Sequence, residues 1–105
     1  MTTVSTHVLD AGLGAPAAGI AVALTGPGGE LVEDAVTDAD GRVRFVPDLA
    51  AGTHRLRFAT GAWFDAAGRE HVHPEVVVAF TSGPDAHLHL ALLLGPWSYT
   101  TYRGS

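Results

Sequence analysis

The chain has 105 residues, a net charge of -5, 47% hydrophobic and only 16% charged residues, which describes one folded domain over residues 1–105 and argues against disorder. It contains no cysteine, which removes disulfides, thiolate metal sites and cysteine nucleophiles, and no lysine, which removes Schiff-base chemistry. An acidic, lysine-free chain is also a poor partner for nucleic acid or anionic membrane.

The residues before Gly14 lack the basic and apolar blocks of a secretory leader. The longest apolar runs, Val76–Phe80 and Leu90–Leu94, fall far short of the ~18 residues of a membrane span. A soluble cytoplasmic protein is therefore expected. Thirteen glycines and six prolines punctuate short segments throughout, the pattern of a turn-rich β domain. Thr2–Leu9 reads as a first strand, followed by a loop over Asp10–Ala18. Ile20–Leu24 is a second strand, ended by Gly26-Pro27-Gly28-Gly29. Leu31–Thr37 is a third, and Asp38-Ala39-Asp40-Gly41 turns the chain with Gly41 free to take positive φ. Arg42–Val46 and His54–Thr60 are the fourth and fifth strands, and Gly61–Gly68 is a short helix. Glu75–Thr81, His87–Leu94 and Trp97–Tyr102 complete eight strands, which suggests an antiparallel sandwich.

Strand side chains alternate between faces, so a period of two separates core from exterior. Val4 and Val8 share one face of the first strand, and Ser5 and His7 take the other. Val43 and Phe45 read as core, so Arg42 and Arg44 point away; Leu88, Leu90 and Leu92 read as core, so His87, His89 and Ala91 face outward. His7, Arg42 and His89 therefore lie on non-core faces, where an ordinary solvated surface is the plain reading. The aromatic segment Trp97–Tyr102 instead suggests an interface. His71-x-His73 and His87-x-His89 could each offer two zinc ligands, but the spacing fixes no third, and His71 and His73 read as loop residues beside Pro74. Gly26–Gly29 lacks the Lys-Ser or Lys-Thr of a phosphate loop, and Asp38/Asp40 lacks the calcium-loop pattern.

Four segments carry a resemblance that spans the chain in order. Tyr99-Thr100-Thr101-Tyr102-Arg103-Gly104-Ser105 resembles the terminal signature of the 5-hydroxyisourate hydrolases, the transthyretin-like enzymes of urate breakdown. Ser5-Thr6-His7-Val8-Leu9-Asp10, Thr37-Asp38-Ala39-Asp40-Gly41-Arg42 and His87-Leu88-His89 resemble that family's N-terminal, arginine-turn and second-histidine motifs. Leu88 stands where the family usually has Tyr, Ala91 where it has Pro, and Trp97 where it has Tyr.

The resemblance implies an all-β, eight-stranded antiparallel transthyretin-like sandwich with one short helix. It implies a homotetramer, a dimer of dimers, with active sites in a channel between the dimers. The implied reaction is hydrolysis of 5-hydroxyisourate to 2-oxo-4-hydroxy-4-carboxy-5-ureidoimidazoline, with no cofactor and no metal. His7, Arg42, His89 and Ser105 are the implied catalytic residues, and His7, Arg42 and Tyr102 contact the purine-derived substrate. Arg103 reads as half of a structural ion pair. Two other readings remain open: a non-catalytic transthyretin-like binder of a small aromatic ligand, and a zinc-dependent hydrolase using the histidine pairs.

Overall fold

A computed structural model describes residues Met1–Ser105. Nine strands and one helix form two packed sheets: β1 (Thr3–Asp10), β2 (Ala15–Pro16), β3 (Ala21–Thr25), β4 (Leu31–Val36), β5 (Arg42–Arg44), β6 (Gly52–Phe58), α1 (Thr60–Ala66), β7 (Val76–Ser82), β8 (His87–Leu94) and β9 (Tyr99–Gly104). The first sheet runs β2-β1-β8-β9, with β5 also on the outer edge of β1; the second runs β4-β3-β6-β7. No helix is long and apolar enough to cross a membrane.

The sandwich follows from alternation. Valines 4 and 8, Leu88, Leu90, Leu92 and Leu94 face Val22, Leu24, Leu56, Phe58 and Val76 across one apolar core. α1 links β6 to β7 and adds Phe64 to that core. Gly61 makes this possible, because a Cβ there would lie 2.6 Å from the Pro74 carbonyl oxygen.

Several sequence expectations change. Residues 10–18 are not purely a loop: Ala15–Pro16 pairs with Leu9–Asp10 as a ninth, two-residue strand. The last strand begins at Tyr99 and not at Trp97, because Pro96 has no N–H and the Gly95 N–H closes a turn on the Ser98 carbonyl at 2.9 Å. The fourth strand ends at Arg44, shortly before Pro47. The sheets are not antiparallel throughout: β1 and β8 pair in parallel along their whole length, from Thr3↔His87 to Asp10↔Leu94. A parallel pair needs a long connection, and these strands are joined by most of the chain.

Asp10 closes the far end of β1. Its side chain is 1% exposed and accepts a 2.6 Å ionic hydrogen bond from Arg69, while the Gly12 and Leu13 N–H groups donate to its Oδ1. Burial pushes its pKa up, but the Arg69 hydrogen bond and charge and the two backbone donors outweigh it and leave the carboxyl below its ordinary 3.8. Arg69 in turn lies over the Phe64 ring at 4.8 Å. Breaking a buried pair leaves a charge without its partner. Because Arg69 keeps 23% exposure, Asp10→Ala is expected to cost about 3 kcal/mol, the low end for such pairs. A folded carboxyl with a lowered pKa stabilises above its unfolded value, so this difference should shrink as pH falls through the folded pKa. Urea denaturation at pH 7 and at acid pH checks both.

Candidate active site

The parallel pairing of β1 with β8 sets the outer face of the first sheet in rows. His7 is opposite Arg42 on β5 and Ala91 on β8, and Ala91 is opposite Tyr102 on β9. One step along, Ser5 is opposite Arg44 and His89, and His89 is opposite Gly104. Neighbouring strands are about 4.8 Å apart, so each row places its side chains within reach of one substrate-sized molecule. A cleft of about 260 Å³ opens on this face, lined by Ser5, Asp38, Arg42, Arg44 and His89 among others.

Arg42 is delivered by a tightly specified turn. Asp38 Oδ1 accepts hydrogen bonds from the N–H groups of Asp40 and Arg42, each at 2.9 Å, and the Gly41 N–H donates to the Asp38 carbonyl at 2.9 Å. Gly41 has φ +75°, and a Cβ would come within 2.3 Å of the Val8 carbonyl oxygen. Glycine is required there twice, by conformation and by close approach to β1. The turn therefore fixes Arg42 against His7.

His89 is held from both sides. Its Nδ1 is 2.7 Å from Ser5 Oγ, which is also 2.8 Å from His87 Nε2; His87 Nδ1 is 2.6 Å from Thr3 Oγ1. On the β9 side the ring lies over Gly104, where a Cβ would sit 2.6 Å from His89 Cδ2. Partial burial, then the positive charge of Arg42, then His7 and His87, hold its pKa below 6.5. His89 is thus neutral at pH 7 and can accept a proton.

Arg42 and His89 line the cleft together. His7 is not on its wall but stands in register with Arg42 on the adjacent strand, and Tyr102, about half exposed, completes the His7 row. Ser105 follows Gly104 at the exposed end of β9. Arg103 turns away and pairs with Asp85 at 3.2 Å. His71 and His73 are loop residues: His71 stacks on Phe64 and His73 meets the edge of Tyr99. No three His, Cys, Asp or Glu side chains converge as a metal-binding set. A larger depression of about 470 Å³ lies beside α1, but its Arg69 is already committed to Asp10.

Sequence reasoning missed Ser5, His87 and Gly104 as parts of the site. Alternation placed Ser5 and His87 on the outer face, yet their contact depends on a strand pairing that no local pattern reveals. Of the departures noted above, Leu88 points into the core, whereas Ala91 lies on the site face between His7 and Tyr102.

The model of the HIUase/Transthyretin family matches residues 4–104. The chain is 44% identical to the 5-hydroxyisourate hydrolase of Caulobacter vibrioides, covering 100% of both chains. It superposes on the structure of Klebsiella pneumoniae 5-hydroxyisourate hydrolase with a TM-score of 0.92 at 43% identity, covering 100% of this chain and 94% of that one. Sea bream transthyretin in complex with thyroxine gives a TM-score of 0.90 at 32% identity, with 96% and 93% covered.

An NMR pH titration of the six histidines tests the environment of His89. Its midpoint should lie below 6.5, and Arg42→Ala should raise it toward that value. A lowered histidine pKa means that the unfolded chain binds the proton more readily, so His89 should reduce stability progressively as pH falls from about 6.5 to its folded midpoint.

Proposed function

The chain belongs to the HIUase/Transthyretin family, and from that premise we propose that it hydrolyses 5-hydroxyisourate. The observation that carries this reading is the convergence of Arg42 and His89 on one cleft, with His7 in register beside Arg42. The relatives' names supply the substrate; the geometry supplies groups suited to opening a cyclic amide.

The bond broken is N1–C6 of the ring. A water oxygen bonds to C6, and its proton passes to a histidine. The C6–N1 bond then breaks, and the proton returns to N1 as the ureido nitrogen leaves. The product is 2-oxo-4-hydroxy-4-carboxy-5-ureidoimidazoline. His7 and His89 share water activation and proton return, because an imidazole that has taken the proton of water can return it as imidazolium near pH 7. The planar guanidinium of Arg42 matches the carbonyl oxygens of a flat ring and stabilises the oxyanion that develops at C6. Tyr102 contacts the substrate, and Ser105 closes the site from the end of β9.

We place the reaction in cytoplasmic urate breakdown, without a cofactor or metal, and the enzyme as a homotetramer built from two dimers. The exposed Tyr99 and Tyr102 on the edge strand β9, with Trp97 in the turn just before it, support such an assembly. A second copy over this face would cover the cleft and exclude bulk water. The likeness to transthyretin keeps a carrier as the rival reading, distinguished by binding without turnover.

The test is the decay of ultraviolet absorbance of freshly generated 5-hydroxyisourate. Wild type should accelerate it with or without chelator. His7→Ala or His89→Ala should lose about 10²–10⁴ in kcat/KM, the usual range for acid–base residues, with unchanged circular dichroism. Decay no faster than the spontaneous reaction, together with tight binding of a purine, would establish the carrier reading instead. Loss on chelation with recovery on adding zinc would favour a zinc hydrolase.

A further inference from the structure

We propose that Thr3, His87 and Ser5 form a one-way hydrogen-bond chain that holds His89 as its Nδ1–H tautomer and makes Nε2 the proton-accepting atom of the site. The chain has three links, Thr3 Oγ1 to His87 Nδ1 at 2.6 Å, His87 Nε2 to Ser5 Oγ at 2.8 Å, and Ser5 Oγ to His89 Nδ1 at 2.7 Å. The two links to Ser5 are within the range of well-formed bonds, and the Thr3 link is slightly shorter.

Proton counting gives the direction. A hydroxyl has one proton to donate, and a neutral imidazole has one donor and one acceptor nitrogen. The Thr3 hydroxyl also reaches the Ala86 carbonyl oxygen at 3.4 Å, a long contact in which only the hydroxyl can donate. With its proton directed there, Thr3 accepts from His87 Nδ1–H. His87 Nε2 then accepts from the Ser5 hydroxyl. Ser5, its proton used, accepts from His89 Nδ1–H. His89 is left with a lone pair on Nε2, on the ring edge that lies over Gly104.

This direction also suits catalysis. A proton arriving at Nε2 leaves every link of the chain as it was, because Nδ1 already carries its hydrogen. In the reversed chain Nδ1 would be the acceptor, and taking up a proton there would require Ser5, His87 and Thr3 to reorder. The charged and titratable groups around His89 are Arg42 and Arg44 from β5, with Asp38 on the adjoining turn; His7 from β1; His87 from β8; and Tyr102 from β9. Cations dominate that set, so the tautomer rests on the hydroxyl chain and not on a carboxylate partner. Ser5, His87 and Thr3 are positioning residues, since they act through His89.

The consequence for rate rests on the proposed hydrolase reading, whereas the tautomer does not, so the two are tested separately. Long-range ¹H–¹⁵N NMR of the histidine rings, recorded above the His89 midpoint, should show Nδ1 protonated and Nε2 bare. Ser5→Ala should shift His89 toward the Nε2–H form and lower kcat by about tenfold, the equivalent of one neutral hydrogen bond, with KM little changed. Ser5→Thr, which keeps the hydroxyl, should restore both. Thr3→Val, nearly isosteric, should loosen the tautomer preference from the far end and serves if Ser5→Ala does not fold. Wild-type His89 carrying its proton on Nε2 overturns the proposal, as does a Ser5→Ala or Thr3→Val protein with unchanged tautomer. An inactive wild type with the Nδ1–H tautomer would overturn the hydrolase reading and leave the chain of bonds standing.

Discussion

The parallel pairing of β1 with β8 is the constraint on which the rest of the structure depends. It joins residues 84 positions apart, and every one of the eight residues of β1 has a partner in it. Since side chains alternate, the register divides two strands at once. Val4, Thr6 and Val8 go inward with Leu88, Leu90 and Leu92, and Ser5 and His7 go outward with His87, His89 and Ala91. A slip of one residue would send the histidines into the core and the leucines to the surface. The apolar core therefore enforces the chemistry of the opposite face.

Two local devices complete what the register begins. The Gly41 turn brings β5 against β1 and sets Arg42 beside His7, and the missing Cβ of Gly104 lets β9 approach the Cδ2 edge of the His89 ring. Both glycines are needed for contact across strands, which is why each adjoins a chemical group. The result is a cationic face in which burial and neighbouring positive charge keep His89 neutral. The same neighbours would attract an anionic or oxygen-rich flat molecule. The ion pair of Asp10 with Arg69 plays a different part: it secures the end of β1 and the loop that follows, away from the chemistry.

Much of this was legible in the sequence. Alternation of Val43 and Phe45 with Arg42 and Arg44, and of leucines with histidines in His87–Leu94, separated core from exterior correctly. The turn at Asp38–Gly41 was readable because aspartate and glycine have definite local roles there. What local patterns could not carry was pairing. The parallel alignment of β1 with β8, the two-residue strand at Ala15–Pro16 and the contact of Ser5 with two histidines all depend on which strands become neighbours. Trp97 illustrates the opposite error. Its aromatic character suggested strand, but Pro96 and the Gly95–Ser98 turn place it outside the ladder.

The most direct measurement is the perturbation of histidine ring NMR signals on adding urate, a stable flat purine. His7, His87 and His89 stand on the outer face of the β1–β8 pair, while His54 is buried beneath the second sheet's strands and His71 and His73 lie in the loop after α1. Shifts at His7 and His89, with His54, His71 and His73 unmoved, are the result expected if that face is the site. Shifts confined to His71 and His73, beside the larger depression near Arg69, or no shift at any histidine, would contradict it.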